Sequence, residues 1–198
     1  MPSAHAPRQP LTPTERRALI VAAESAFLKL ANLYAELLPI FTRYGFKPQS
    51  AGVISRDVSE KIEEQIILHC STFTRGDGFA DLARHGQQWE VKICKGSGLT
   101  INQNAQIHGE NYIVVNYTKY STLRRVWVLW EAEDRFFTPR KPNLNLRTVV
   151  PAVAAPNIEM IFEALADGRR RRIAESLTTP LPMAKAQLTA RSRRRTNS

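Results

Sequence analysis

Asp81, Glu90 and Lys92 are the residues of this chain whose types and spacing could do chemistry together. Asp81 lies in Gly78-Phe79-Ala80-Asp81-Leu82, and nine residues further on comes Trp89-Glu90-Val91-Lys92-Ile93. Residues 79–83 and 88–94 are strand-like runs, and Gly86 stands in the four residues between them, where a hairpin must reverse. Side chains alternate along a strand, so Glu90, Lys92 and Cys94 project one way while Val91 and Ile93 project into the core. Antiparallel pairing then brings Asp81 beside Glu90. Two carboxylates at that distance repel unless a cation lies between them. Mg²⁺ suits the pair, because it takes hard oxygen ligands, keeps several waters and needs only one or two carboxylates when a phosphate completes its shell. Lys92 would hold or deprotonate an attacking water and balance charge growing on phosphorus. The chemistry expected is metal-dependent phosphodiester hydrolysis.

Elements must position these groups. Upstream, Ile54, Val58, Ile62 and Ile66 recur every four residues, which predicts an amphipathic helix over 55–68 with Ser55 as N-cap and Asp57 at its positive end. On its wheel Glu63 falls beside the buried stripe, Glu60 lies next to it and Glu64 points further into solvent. Downstream, Lys95-Gly96-Ser97-Gly98 is a glycine-rich turn whose backbone could approach a phosphate, or a plain loop. Residues 101–108 read as a short polar helix stopped by Gly109. Strands are expected at 111–117, nearly all apolar and so covered on both faces, and at 124–130, where the alternation is clearer.

The pattern Ala80-Asp81, followed nine positions after Asp81 by Glu90-Val91-Lys92, resembles the PD-(D/E)XK nuclease superfamily, with alanine where the motif has proline. The resemblance covers about residues 55–130. It implies an α/β fold: a restriction-endonuclease-like core, a mixed four-stranded sheet flanked by helices, here with an N-terminal helix and a basic C-terminal extension. It implies Asp81 and Glu90 as ligands of Mg²⁺ or Mn²⁺, the carbonyl of Val91 completing the protein's share of the shell, Lys92 acting on the water, and an acidic residue from the upstream helix, Glu63 before Glu60. Gln103 and Gln106 would orient water or read bases. DNA rather than RNA is the implied substrate.

Outside that core, Thr12-Pro13-Thr14-Glu15 forms a capping box, opening a long helix with Leu19, Ala22, Ala23, Ala26, Leu30, Leu33 and Leu37 on one face. Pro39 and Gly45 mark its end near Leu38. That face covers the sheet or forms a dimer interface. A homodimer is expected because cutting both strands of a duplex requires two sites. Residues 157–165 are expected to form a helix that Arg169, Arg170, Arg171 and Arg172 extend as a cationic ridge. Arg140 and Lys141, within an aromatic and proline-containing loop, could meet phosphates or be incidental to a packing turn, and Lys95 could add to such contacts.

The net charge of the 198-residue chain is +10, of which residues 168–198 supply +8. Phosphate affinity is therefore expected from the C-terminal extension, through counterion release and without sequence choice. The organisation expected is a flexible segment 1–12, one nuclease-like domain at 13–167, and a basic, partly disordered extension at 168–198. No apolar run approaching eighteen residues or signal-peptide core is seen, and two cysteines form no disulfide framework, so a cytoplasmic protein away from membranes is expected. No nucleotide-binding glycine loop is present. The function expected is that of a Mg²⁺-dependent endonuclease on double-stranded DNA, restriction-like in type. The alternatives are a structure-specific repair or recombination nuclease, and a non-catalytic nucleic-acid-binding protein that uses its basic tail.

Overall fold

A computed structural model describes residues 8–45, 51–78, 80–105, 107, 109–118, 122–139, 145–164 and 170–172, with backbone alone at 34, 51–57 and 170–172. Helix α1 (Pro13–Arg43) starts at the expected capping box: the Glu15 amide donates to the Thr12 hydroxyl at 3.2 Å and the Thr12 amide to the Glu15 carboxylate at 2.6 Å. It runs past Pro39 instead of stopping near Leu38. Proline removes one intrahelical donor, yet the next turn closes through the Thr42 hydroxyl on the Leu38 carbonyl at 2.9 Å. Helix α2 (Ala51–His69) begins four residues before Ser55, so Ser55 is not its cap.

Among the described residues, nine strands follow: β1 (Phe73–Arg75), β2 (Leu82–Arg84), β3 (Gln87–Lys95), β4 (Thr100–Asn102), β5 (Asn111–Tyr117), β6 (Leu123–Leu129), β7 (Leu146–Thr148), β8 (Ile158–Ala164) and β9 (Arg170–Arg172), with the short helix α3 (Pro151–Ala154) before β8. A mixed sheet runs in the order β1-β2-β3-β5-β6-β8-β9, and β4 pairs with β7 apart from it. The expected runs 88–94, 111–117 and 124–130 correspond to β3, β5 and β6, whereas 79–83 is strand only at 82–83, within β2, and the sheet is seven strands wide, not four, because β1, β8 and β9 extend it. The β2–β3 turn is His85-Gly86 with φ of 50° and 75°, the doubly left-handed pair that a two-residue hairpin favours.

Two apolar layers enclose the sheet. Leu19, Ala23, Phe27, Ile62 and Ile66 of the helices pack on Val91, Ile113, Val115, Val126 and Val128. Cys94, Tyr112, Val114, Trp127 and Leu129 face a second cluster with Leu99, Ile101, Phe136 and Val149. Alternation along β6 is therefore between two cores, as it is along β5. Between them, the buried Asn116 accepts from the Trp127 indole at 2.6 Å and donates to the carbonyls of Cys94 at 3.2 Å and Gly98 at 2.8 Å, which pins the turn after β3.

Three expectations are corrected. Residues 158–164 form a strand, not a helix: a bulge opposite Val126 and Trp127 turns both Ile161 and Phe162 into the helix-side core, and that doubling imitates helical spacing. Arg170–Arg172 accordingly continue the sheet and form no helical ridge. Residues 101–108 open as β4, with Ile101 in the second core, and the Asn102 side chain then accepts from the Asn104 amide at 3.0 Å to turn the chain.

Helix α1 also contains an 18-residue window of mean hydropathy 1.4, long and apolar enough to cross a membrane, where no such run was expected. Its first half lies in the core through Leu19, Ile20, Ala23, Ala26 and Phe27, whereas Leu33, Leu38 and Ile40 in its second half are exposed.

Candidate active site

β2 is shorter than β3, and that difference builds the site. Leu82 pairs with Trp89, so beyond Trp89 the edge of β3 has lost its strand partner on that side. The chain before Leu82 fills the gap with side chains. Asp81 lies in a bend ahead of β2, not within a strand as expected, and its carboxylate accepts from the Val91 amide at 2.7 Å. The Val91 carbonyl accepts from the Ser59 hydroxyl of α2 at 3.3 Å, and that hydroxyl also lies 3.2 Å from the Glu63 carboxylate.

Asp81, Glu63, Glu60, Ser59, Val91, Lys92 and Ile93 line a cavity of about 350 Å³ along this edge. Lys92 reaches to 4.0 Å from the Asp81 carboxylate and forms an ion pair with Glu90. Glu90 thus adjoins the cavity through Lys92 but is not among its lining residues. Glu63 is the most enclosed of the four, with its side chain 9% exposed, against 17% for Glu90, 29% for Asp81 and 34% for Lys92.

Burial, and then the charge of Asp81, push the Glu63 carboxyl above its usual range. Burial also raises Glu90, which Lys92 partly offsets and Asp81 reinforces. The buried Tyr112 hydroxyl, opposite Glu90 across the parallel β3–β5 pair, is raised by burial and by the carboxylates of Glu110, Glu90 and Asp81. Negative charge is concentrated where little water reaches. Lys92 and Arg75 offset part of that charge, through Glu90 and Asp81 in one case and Glu63 in the other.

Among the described residues, no three His, Cys, Asp or Glu side chains converge closely enough to hold an ion unaided. The donors around the cavity are three carboxylates, Asp81, Glu63 and Glu60, and one carbonyl, Val91. That set fits Mg²⁺ or Mn²⁺, which share their shell with water and substrate, and not a structural zinc site, which takes four protein ligands.

Of the residues expected to meet nucleic acid, Lys95 and Gln103 have described side chains, and neither lines the cavity. Lys95 ends β3, exposed and outside the cavity lining. Gln103 lies beyond β4, with its amide on the Asn145 carbonyl at 3.0 Å, so the helix expected to carry it is absent. Gln106, His108, Arg140, Lys141, Arg169 and residues 173–198 lie outside the described residues, and the side chains of Arg170, Arg171 and Arg172 are not described.

Sequence reasoning missed Ser59, Arg75 and Gly76. Ser59 stands four residues before Glu63 on one helix face, a spacing that could have revealed it. Gly76 closes the loop that delivers Asp81: its amide donates to the Asp81 carbonyl at 3.2 Å, and a Cβ there would stand 2.3 Å from the Ala80 carbonyl oxygen. Gly76→Ala must open this loop. Asp81 moves with it, so any activity carried by Asp81 should fall at least about tenfold, as small displacements of catalytic groups do. Far-UV circular dichroism should stay unchanged. Full activity in this variant would free Asp81 from the loop's geometry.

No protein-family model matches the chain, and no curated protein matches it in sequence.

Proposed function

We propose that the chain is a Mg²⁺-dependent endodeoxyribonuclease of the PD-(D/E)XK kind, acting on double-stranded DNA. The observation that carries this is the meeting of Asp81, the Val91 backbone and Lys92 at the free edge of β3, with Glu63 of α2 facing the same cavity. Asp81, Glu63 and the Val91 carbonyl would hold Mg²⁺ or Mn²⁺, with Glu90 joining once Lys92 releases it. The bound metal would supply a water acidified toward deprotonation and an electrophile for the phosphate oxygens.

The chain's own groups do the remainder. Lys92, as an ammonium, orients the water and balances charge as the new oxygen–phosphorus bond forms and the ester bond breaks, with the water's proton leaving to solvent and the departing ester oxygen taking one from solvent. Ser59 holds Glu63 and the Val91 carbonyl in one arrangement. Asp81 is fixed by the Val91 amide. A restriction-like enzyme, cytoplasmic and acting as a homodimer with one site for each strand, completes the proposal. A structure-specific nuclease using the same site differs only in its DNA surface.

A second reading follows from the Glu90–Lys92 ion pair: the pair is structural and the chain binds nucleic acid without catalysis, through its basic C-terminal extension. Supercoiled, linear, branched and single-stranded DNA incubated with Mg²⁺, Mn²⁺ or a chelator separates the two. Cleavage that the chelator abolishes is expected. Absence of cleavage on every substrate would sink the nuclease and leave the binding protein.

A further inference from the structure

Arg75, at the end of β1, places a guanidinium nitrogen 3.2 Å from a Glu63 carboxylate oxygen. The two partners are unequally buried: Glu63 is 9% exposed at the wall of the cavity, while Arg75 is 60% exposed. The pairing of Arg75 with Leu82 across β1 and β2 sets it next to Asp81 in space. A guanidinium on an exposed stem has rotamer freedom, and its hold on a carboxylate is weak enough to be exchanged.

We propose that Arg75 is an exchangeable latch on the candidate metal site, occupying Glu63 before a divalent cation arrives and turning to a backbone phosphate of the nucleic acid afterwards. This rests on the nuclease proposal. Both roles use the same chemistry, a guanidinium whose N–H groups donate to carboxylate or to phosphate oxygens alike. Without Arg75, Glu63 would face Asp81 with one fewer neutralising charge, and a cation would meet no competitor for its ligand. The guanidinium's second role needs no movement of β1, only a change in side-chain rotamer.

The test compares wild type with Arg75→Ala, Arg75→Lys and the exposed-surface control Lys29→Ala, using Mn²⁺ titration without DNA and DNA binding in Ca²⁺ across a salt series. Arg75→Ala should bind Mn²⁺ roughly two- to five-fold more tightly, the range that displacing one half-exposed ion pair allows. Its log-log salt slope for DNA should become shallower by about one, as loss of one phosphate contact requires. Arg75→Lys should restore the slope. Unchanged or weaker Mn²⁺ binding in Arg75→Ala would overturn the latch, and an unchanged salt slope would overturn the phosphate contact. Failure of wild type to bind Mn²⁺ at all would instead strike the nuclease proposal itself, which keeps the two distinguishable.

Discussion

Lys92→Ala is expected to slow DNA cleavage by about 10²–10⁴-fold, the range in which positioned proton-transfer groups act. The effect should appear in kcat and leave DNA affinity nearly unaltered, because a single ammonium at the cavity wall adds little to binding spread over many phosphates. The ion pair with Glu90 gives the variant a second signature. Burial and Asp81 already push the Glu90 carboxyl up, and Lys92 is the group that opposes them. Without Lys92, Glu90 should titrate at higher pH still, detectable by NMR of the carboxyl carbon. Cleavage within twofold of wild type would show that Lys92 serves only as Glu90's partner.

Glu15→Gln carries the largest expected effect on stability, about 3–5 kcal/mol, because it leaves a buried arginine without its counter-ion. Arg84 meets Glu15 through two bonds, Nε to Oε1 at 2.6 Å and Nη2 to Oε2 at 2.9 Å, and both side chains are about 1% exposed. Arg84 also donates to the carbonyls of Gln9 and Pro10, at 2.8 Å and 3.1 Å. One carboxylate therefore caps α1 and clamps it to β2. Burial acts to raise the Glu15 carboxyl, yet Arg84, Thr72 and Thr12 overcome it and hold it at about 2 instead of 4.5. A folded value below the unfolded one means stability that is complete above about pH 4.5 and is lost as pH falls toward 2. Thermal melts should show wild type losing about 3 kcal/mol over that window through this group. The Gln variant, already destabilised, should show a flatter dependence there. Equal acid sensitivity in both proteins would remove Glu15 from the account of acid unfolding.

The elements carried by strict local patterns were legible in the chain. Thr12 to Glu15 states its capping box in four residues, His85-Gly86 states a hairpin, and Val58, Ile62 and Ile66 line the buried face of α2. What failed depended on partners remote in sequence. A bulge against β6 gave β8 a helical rhythm, and β4 became a strand because β7 lies beside it. The candidate site shows the same division. Asp81, Glu90, Lys92 and Glu63 could be chosen from spacing, whereas Arg75 carries no local mark and meets Glu63 only once β1 is docked beside β2. The cavity itself arises from the unequal lengths of β2 and β3. No residue type announces that.

Asp81→Asn is the variant that bears most directly on metal-dependent cleavage. Its side-chain oxygen can still accept from the Val91 amide, so the fold of the loop is kept while the charge is removed. Supercoiled plasmid, Mg²⁺ and equal amounts of wild type and variant should give nicked and linear products with wild type, and less than about 1% of that rate with Asp81→Asn. Binding of the same DNA in Ca²⁺ should agree within about twofold, since the phosphate-contacting charges are untouched. Cleavage by Asp81→Asn at the wild-type rate, or none by wild type, would contradict metal-dependent hydrolysis at this site.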